Sequence, residues 1–166
     1  MDGAHVHLLL NHIPVLGTLF CVLLLAFALL RKSGEVLRVA LLGTVLVALV
    51  TFPAYLSGES AEDAVKRLGS PDISTIMLDE HEDAALPAML TVEGTGVLAL
   101  LALVLGRGGR RPGWLPWAVL AAGGLGFALV ARAANLGGQI HHPEIRAGAP
   151  AASGGEDDDH RGRKGR

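Results

Sequence analysis

The chain contains a single cysteine, Cys21, and it lies inside an apolar run. An internal disulfide and a thiolate cluster are thereby excluded, so any bound metal must be held by histidine, carboxylate or a prosthetic group. Aromatic residues make up only 4% of the chain, and the basic residues stand in short clusters instead of one broad patch with aromatics interleaved. A nucleic-acid partner is not expected from such a pattern. Neither sign of charge dominates, the formal net charge being -2, and no internal repeat is evident. Apolar sequence is what abounds. A hydrophobic content of 51% over 166 residues, with a mean hydropathy of +0.45, is more than a soluble domain of this length carries.

A helix crosses the hydrocarbon core with about 20 mostly apolar residues, because lipid offers its backbone groups no hydrogen-bond partners. Four segments meet that requirement: Leu8 to Leu30, Val39 to Ser57, Ala84 to Gly106 interrupted by Glu93, and Gly113 to Gly138 interrupted by Arg132. The expected fold is therefore all-α, an up-down bundle of four transmembrane helices within residues 1–146. The first run is too long for a signal-peptide core, lacks a basic leader in Met1-Asp2-Gly3-Ala4 and has no small-residue cleavage site before Arg31-Lys32, so it reads as retained. The linkers after the first and third spans are short and basic, from Arg31 to Arg38 and from Arg107 to Arg111. The positive-inside rule assigns both to the cytoplasm and leaves both termini, the loop from Gly58 to Asp83 and every histidine outside. Trp114 and Trp117 beside Arg110 and Arg111 suit an interfacial anchor of the fourth span.

The outer loop has its own helical pattern. Glu59 to Leu68 places acids first and bases last, as a helix dipole prefers, and Gly69-Ser70-Pro71 breaks it. Ser70 and Pro71 then form an N-cap and first-turn pair for a second helix from Asp72 to about Asp83 that feeds the third span. From Ala147 to Arg166 the composition is that of a disordered tail.

The polar residues that enter the apolar runs are the candidates for chemistry. His12 stands within the first run between Asn11 and Pro14, where an unpaired side chain costs a few kcal/mol. His81 opens the third span on the small-residue face of Ala85 and Ala88, and His141 and His142 follow the fourth. Arg132, Asn135, Gln139 and His142 recur at helical spacing, which predicts one polar face turned into the bundle. Glu93 and Arg132 are then expected to form a buried ion pair. Pro14, Pro53 and Pro87 all fall in the outer half, where they free carbonyls and widen the bundle.

Two readings follow from these residues. In the first, a b-type haem lies near the outer surface, ligated by His12 and by His81, His141 or His142, with Arg146 or Lys66 and Arg67 neutralising its propionates. The chain is then an electron-transfer subunit rather than a stand-alone enzyme, within the bilayer and with a quinol, a redox protein or a larger membrane complex as partner. In the second, a non-redox module binds a divalent transition metal through His12, His81, His141, Glu59, Glu62 and Glu82, or binds a protein partner through the same outer cluster. A transporter is disfavoured, because paired broken helices and a charged path across the cytoplasmic half are missing.

The segments from His5 to Pro14, Gly58 to Asp63, His81 to Ala85 and Asn135 to Arg146 resemble an uncharacterised bacterial family of four-span integral membrane proteins. The chain is also distantly similar to four-span families suspected of binding haem. The resemblance covers about residues 5 to 146. It implies the four-span fold, a bacterial inner-membrane location, and His12, Glu59, His81 and His141 as the positions of interest.

Overall fold

Each apolar run forms a helix, and most of the helices extend beyond the run that predicts them. The computed structural model describes residues 3–68 and 75–142, and these are 90% helical with no strand. The elements are α1 (Gly3–Leu10), α2 (His12–Leu30), α3 (Gly34–Leu56), α4 (Gly58–Leu68), α5 (Thr75–Arg107) and α6 (Leu115–His141). Four stretches are long and apolar enough to cross a membrane: His5–Leu30, Gly34–Ala64, Ile76–Arg107 and Leu115–Ile140. The multi-pass membrane protein expected from hydropathy is thus the fold observed. The Ser70-Pro71 cap, Arg146 and the tail lie outside the described residues, but α4 and the early start of α5 match the two helices expected in the loop.

Successive spans pack side by side, α2 on α3, α3 on α5 and α5 on α6, and α6 closes the ring against α2. Large apolar side chains such as Leu16, Phe20, Leu46, Val97 and Leu125 point outward, as helices in lipid require. Inside, small residues bring the backbones together. A Cβ placed on Gly96 of α5 would run into the Cβ of Ala48 on α3, and one on Gly17 would meet Val47 at 2.7 Å. Without a hydrophobic driving force between spans, this close van der Waals packing is the main attraction between them.

The bundle is unequal at its two ends. At the basic end Leu25, Ala28, Leu37, Ala40, Leu41, Ala99, Ala102, Leu115 and Val119 form a continuous apolar core. Both hairpins turn there through the same helix-ending motif. After α2, Ser33 N–H donates to Ala28 C=O at 2.9 Å and Lys32 N–H to Leu29 C=O at 3.2 Å, with Lys32 at φ +52°. After α5, Arg110 N–H donates to Leu105 C=O at 3.0 Å and Gly109 N–H to Gly106 C=O at 3.3 Å, with Gly109 at φ +66°. These are the paired bonds of a Schellman ending. Ser33 then caps α3 through Val36 N–H at 3.4 Å. At the other end the helices are broken at Asn11 and Ser57, and the polar residues gather.

Candidate functional site

The histidine-bearing end is built from the two hairpins in matching fashion. His7 on α1 is half-buried, and its Nδ1 donates to the carbonyl of Ala54 on α3 at 3.0 Å. Ser57 donates its hydroxyl to the same carbonyl at 2.9 Å and lies 3.4 Å from the ring nitrogen. His81 on α5 is also half-buried, and its Nδ1 donates to the carbonyl of Ala133 on α6 at 2.7 Å. In each case a glycine four residues beyond the acceptor faces the ring. A Cβ on Gly58 would stand 3.7 Å from the His7 ring, and one on Gly137 would stand 3.2 Å from that of His81.

A carbonyl oxygen only accepts, so these bonds assign the proton to Nδ1 and leave the lone pair on Nε2. The backbone therefore orients both rings and selects the tautomer whose Nε2 is a ligand or a base. Two imidazoles on different helices are thus each left with a basic Nε2. His7 was not among the ligands that the sequence reading singles out. Its signal lies in a pattern shared by the hairpins: His7 precedes Pro14 as His81 precedes Pro87, and Ala54-x-x-x-Gly58 answers Ala133-x-x-x-Gly137.

No family model, curated protein or solved structure matches this chain.

The other candidates are dispersed. His12 is exposed on the outward side of α2, beside exposed Ile13. His142 is exposed just past α6, and the side chain of His141 lies outside the described residues. Glu59 and Glu82 are exposed. Glu62 accepts a hydrogen bond from Lys66 one turn on, and that bond holds the Lys66 ammonium above its ordinary range, with the fields of Asp79 and Glu82 adding to it. Among the described residues no three histidine, cysteine or acidic side chains come together as a set able to hold a metal ion.

Two expectations are overturned. The stripe on α6 does not face the bundle: Arg132, Asn135 and His142 are exposed, and Gln139 donates to Asn135 along the helix at 2.7 Å. Ala133, Gly126 and Gly137 take the inward face instead, because close approach to α5 needs small side chains there. Glu93 and Arg132 consequently form no ion pair. Gly126 sits beside Val92 and Gly137 beside His81, so Arg132 is level with Leu86, seven residues and about 10 Å from Glu93 along the axis. Glu93 also lies three residues before Gly96, the residue that meets α3, so it looks away from α6. Its Oε1 is buried with no hydrogen-bond partner.

Between the four spans a cavity of about 10 Å³ is lined by Thr18, Cys21, Thr44, Thr95, Gly123 and Gly126, among others. That is room for one water molecule and no more. Thr44 and Thr95 turn their hydroxyls onto carbonyls of their own helices, Ala40 at 2.9 Å and Thr91 at 2.7 Å, whereas Thr18 Oγ1 is buried without a partner. A macrocycle has no place at this depth, which confines the haem reading to the histidine-bearing end.

Proposed function

We propose that the chain is a small membrane electron-transfer subunit that holds a b-type haem at its histidine-bearing end, on the periplasmic side of a bacterial inner membrane. The observation that carries this reading is the matched pair His7 and His81, each with Nδ1 bonded to a main-chain carbonyl and Nε2 left basic. Axial ligation asks for that preparation, since the second bond fixes ring orientation and strengthens the donor nitrogen. His81 is the first ligand. The second comes from the α1–α2 segment, where His7 has the same preparation and His12 is the competing donor.

When bound, the haem supplies one-electron chemistry, and the protein contributes ligation, burial and a tuned surrounding. Arg146, or Lys66 and Arg67, would neutralise the propionates, although Lys66 is bonded to Glu62 and Arg67 Nε to the carbonyl of Asp63. A quinol or a redox protein meeting the outer surface is the electron partner.

The test is a reduced-minus-oxidised visible spectrum of the detergent-purified protein together with a pyridine haemochrome assay. A b-type spectrum at near one haem per chain is expected, lost in His81→Ala. Loss in His7→Ala but not in His12→Ala makes His7 the second ligand, and the converse returns the role to His12. Full occupancy in all three variants, or no haem in the parent protein, overturns the reading.

A further inference from the structure

At the basic end the two hairpins leave a second cavity between them, of about 320 Å³ against about 10 Å³ for the one between the spans. That is the size of a small-molecule site. Its floor is apolar, built from Ala28, Leu29 and Leu37. Its rim carries Lys32 and Ser33 from the α2–α3 turn, Arg111 from the α5–α6 turn and Trp117 from the first turn of α6. These residues stand within a few positions of Leu30, Gly34 and Leu115, where three of the spans end. Span ends are at headgroup depth, the level at which an exposed tryptophan such as Trp117 settles. Among the described residues no acid pairs with Lys32 or Arg111, and Glu35, the only acid of the two turns, does not line the cavity.

The backbone singles out Lys32 independently. Its φ of +52° lies in the left-handed region, which is costly for a residue with a Cβ, and the matching place in the other turn is held by Gly109. Glycine would serve the turn better if reversing the chain were its only task. The lysine held there at a steric cost instead sets an ammonium on the rim that Arg111 also lines. Ser33 Oγ accepts from Val36 N–H at 3.4 Å and keeps its own proton to donate. The polar side chains of the rim are therefore all donors, two of them charged, and such a set suits an anion with several acceptor oxygens. A free anion would leave the apolar floor uncovered, whereas a phosphodiester that carries a glycerol and acyl chains covers it. Basic pockets at the ends of spans hold lipid headgroups in this way. We propose that the cavity binds one anionic phospholipid from the leaflet at the basic end, its phosphate held by Lys32 and Arg111 and its glycerol lying over Ala28 and Leu37. The site is at the opposite end from His7 and His81 and is independent of the haem reading.

The test uses the full chain in phosphatidylcholine vesicles, with Trp114→Phe leaving Trp117 as the sole tryptophan. Phosphatidylglycerol brominated in its upper acyl chain is titrated in, and quenching of Trp117 fluorescence reports which lipid is its neighbour. At low mole fraction the quenching should exceed that from brominated phosphatidylcholine several-fold. Lys32→Gly, which relaxes the turn, and Arg111→Gln, shown folded by an unchanged melt, should each lower the preference and together remove it. Arg38→Gln, which removes a cation of the same end that does not line the cavity, should leave the preference intact. Inorganic phosphate at millimolar concentration should not compete. Equal quenching by the two lipids, a preference retained by the double variant, an equal fall in Arg38→Gln, or displacement by phosphate overturns the proposal.

Discussion

The hairpin of α2 and α3 and the hairpin of α5 and α6 turn through the same pair of backbone bonds, yet Lys32 holds the left-handed position in one and Gly109 in the other. They diverge again at the far end. A methyl on Gly137 would crowd the His81 ring at 3.2 Å, whereas His7 has ordinary clearance from Gly58 and a hydroxyl, Ser57, sharing its acceptor. The second hairpin is thus one unbroken pair, α5 running from Thr75 to Arg107, while the first is jointed at Asn11 and Ser57. The comparison teaches that the same imidazole-to-carbonyl bond is built twice, once against a tight glycine and once with an added hydroxyl.

The largest effect is expected where the hairpins meet. Gly96→Val forces a side chain into Ala48 and should cost about 3 kcal/mol of stability in detergent, the upper part of the range for overpacking. Gly94→Ala, two residues away with open space around it, should change the melting temperature little. Equal behaviour of the two variants would mean that α3 and α5 do not meet as described. Next come the imidazoles. His81→Phe and His7→Phe each remove one hydrogen bond and should each cost about 1 kcal/mol in chemical denaturation. The loss at His7 should be the smaller, because Ser57 still donates to Ala54 C=O.

The turns sharpen the contrast further. Lys32→Gly should stabilise by up to about 1 kcal/mol and Gly109→Ala should destabilise by about the same, since only glycine adopts the left-handed region without steric cost. Thermal melts of the two variants moving in the same direction would contradict the shared turn. The smallest effect belongs to α4. Lys66 has its proton affinity raised by Glu62, so the pair's contribution is complete below the ordinary lysine range and is lost as pH climbs past the raised value. Lys66 is exposed although Glu62 is half-buried, and Glu62→Gln should therefore move the melt at neutral pH little while the Lys66 titration, followed by NMR, shifts downward.

Apolar run length made the spans legible before any coordinates, since residues such as Leu16, Phe20 and Leu46 answer to lipid wherever their neighbours lie. The directions of polar side chains were not legible in the same way. Arg132, Asn135 and Gln139 share a face, but spacing alone does not say whether that face is inside; the glycines and Ala133 on the opposite face decide it. The register between α5 and α6 was equally hidden. It depends on which small residues nest together, and it separates Glu93 from Arg132 by about two turns. His81 facing the bundle followed from its neighbours Ala85 and Ala88, whereas His7 gains its role from Ala54 and Gly58, about 50 residues away.

The two Schellman turns at one end have a mechanical consequence. With α2 tied to α3 and α5 tied to α6 at their basic ends, and with Gly96 against Ala48 near mid-height, the spans are laid out as the arms of tweezers joined at one end. Parting them opens a wedge, widest beside His7 and His81 and closed at the level of Gly96. Under the proposed haem reading, a flat guest would enter edgewise from the histidine end or from the lipid beside it, no deeper than the level of Gly96.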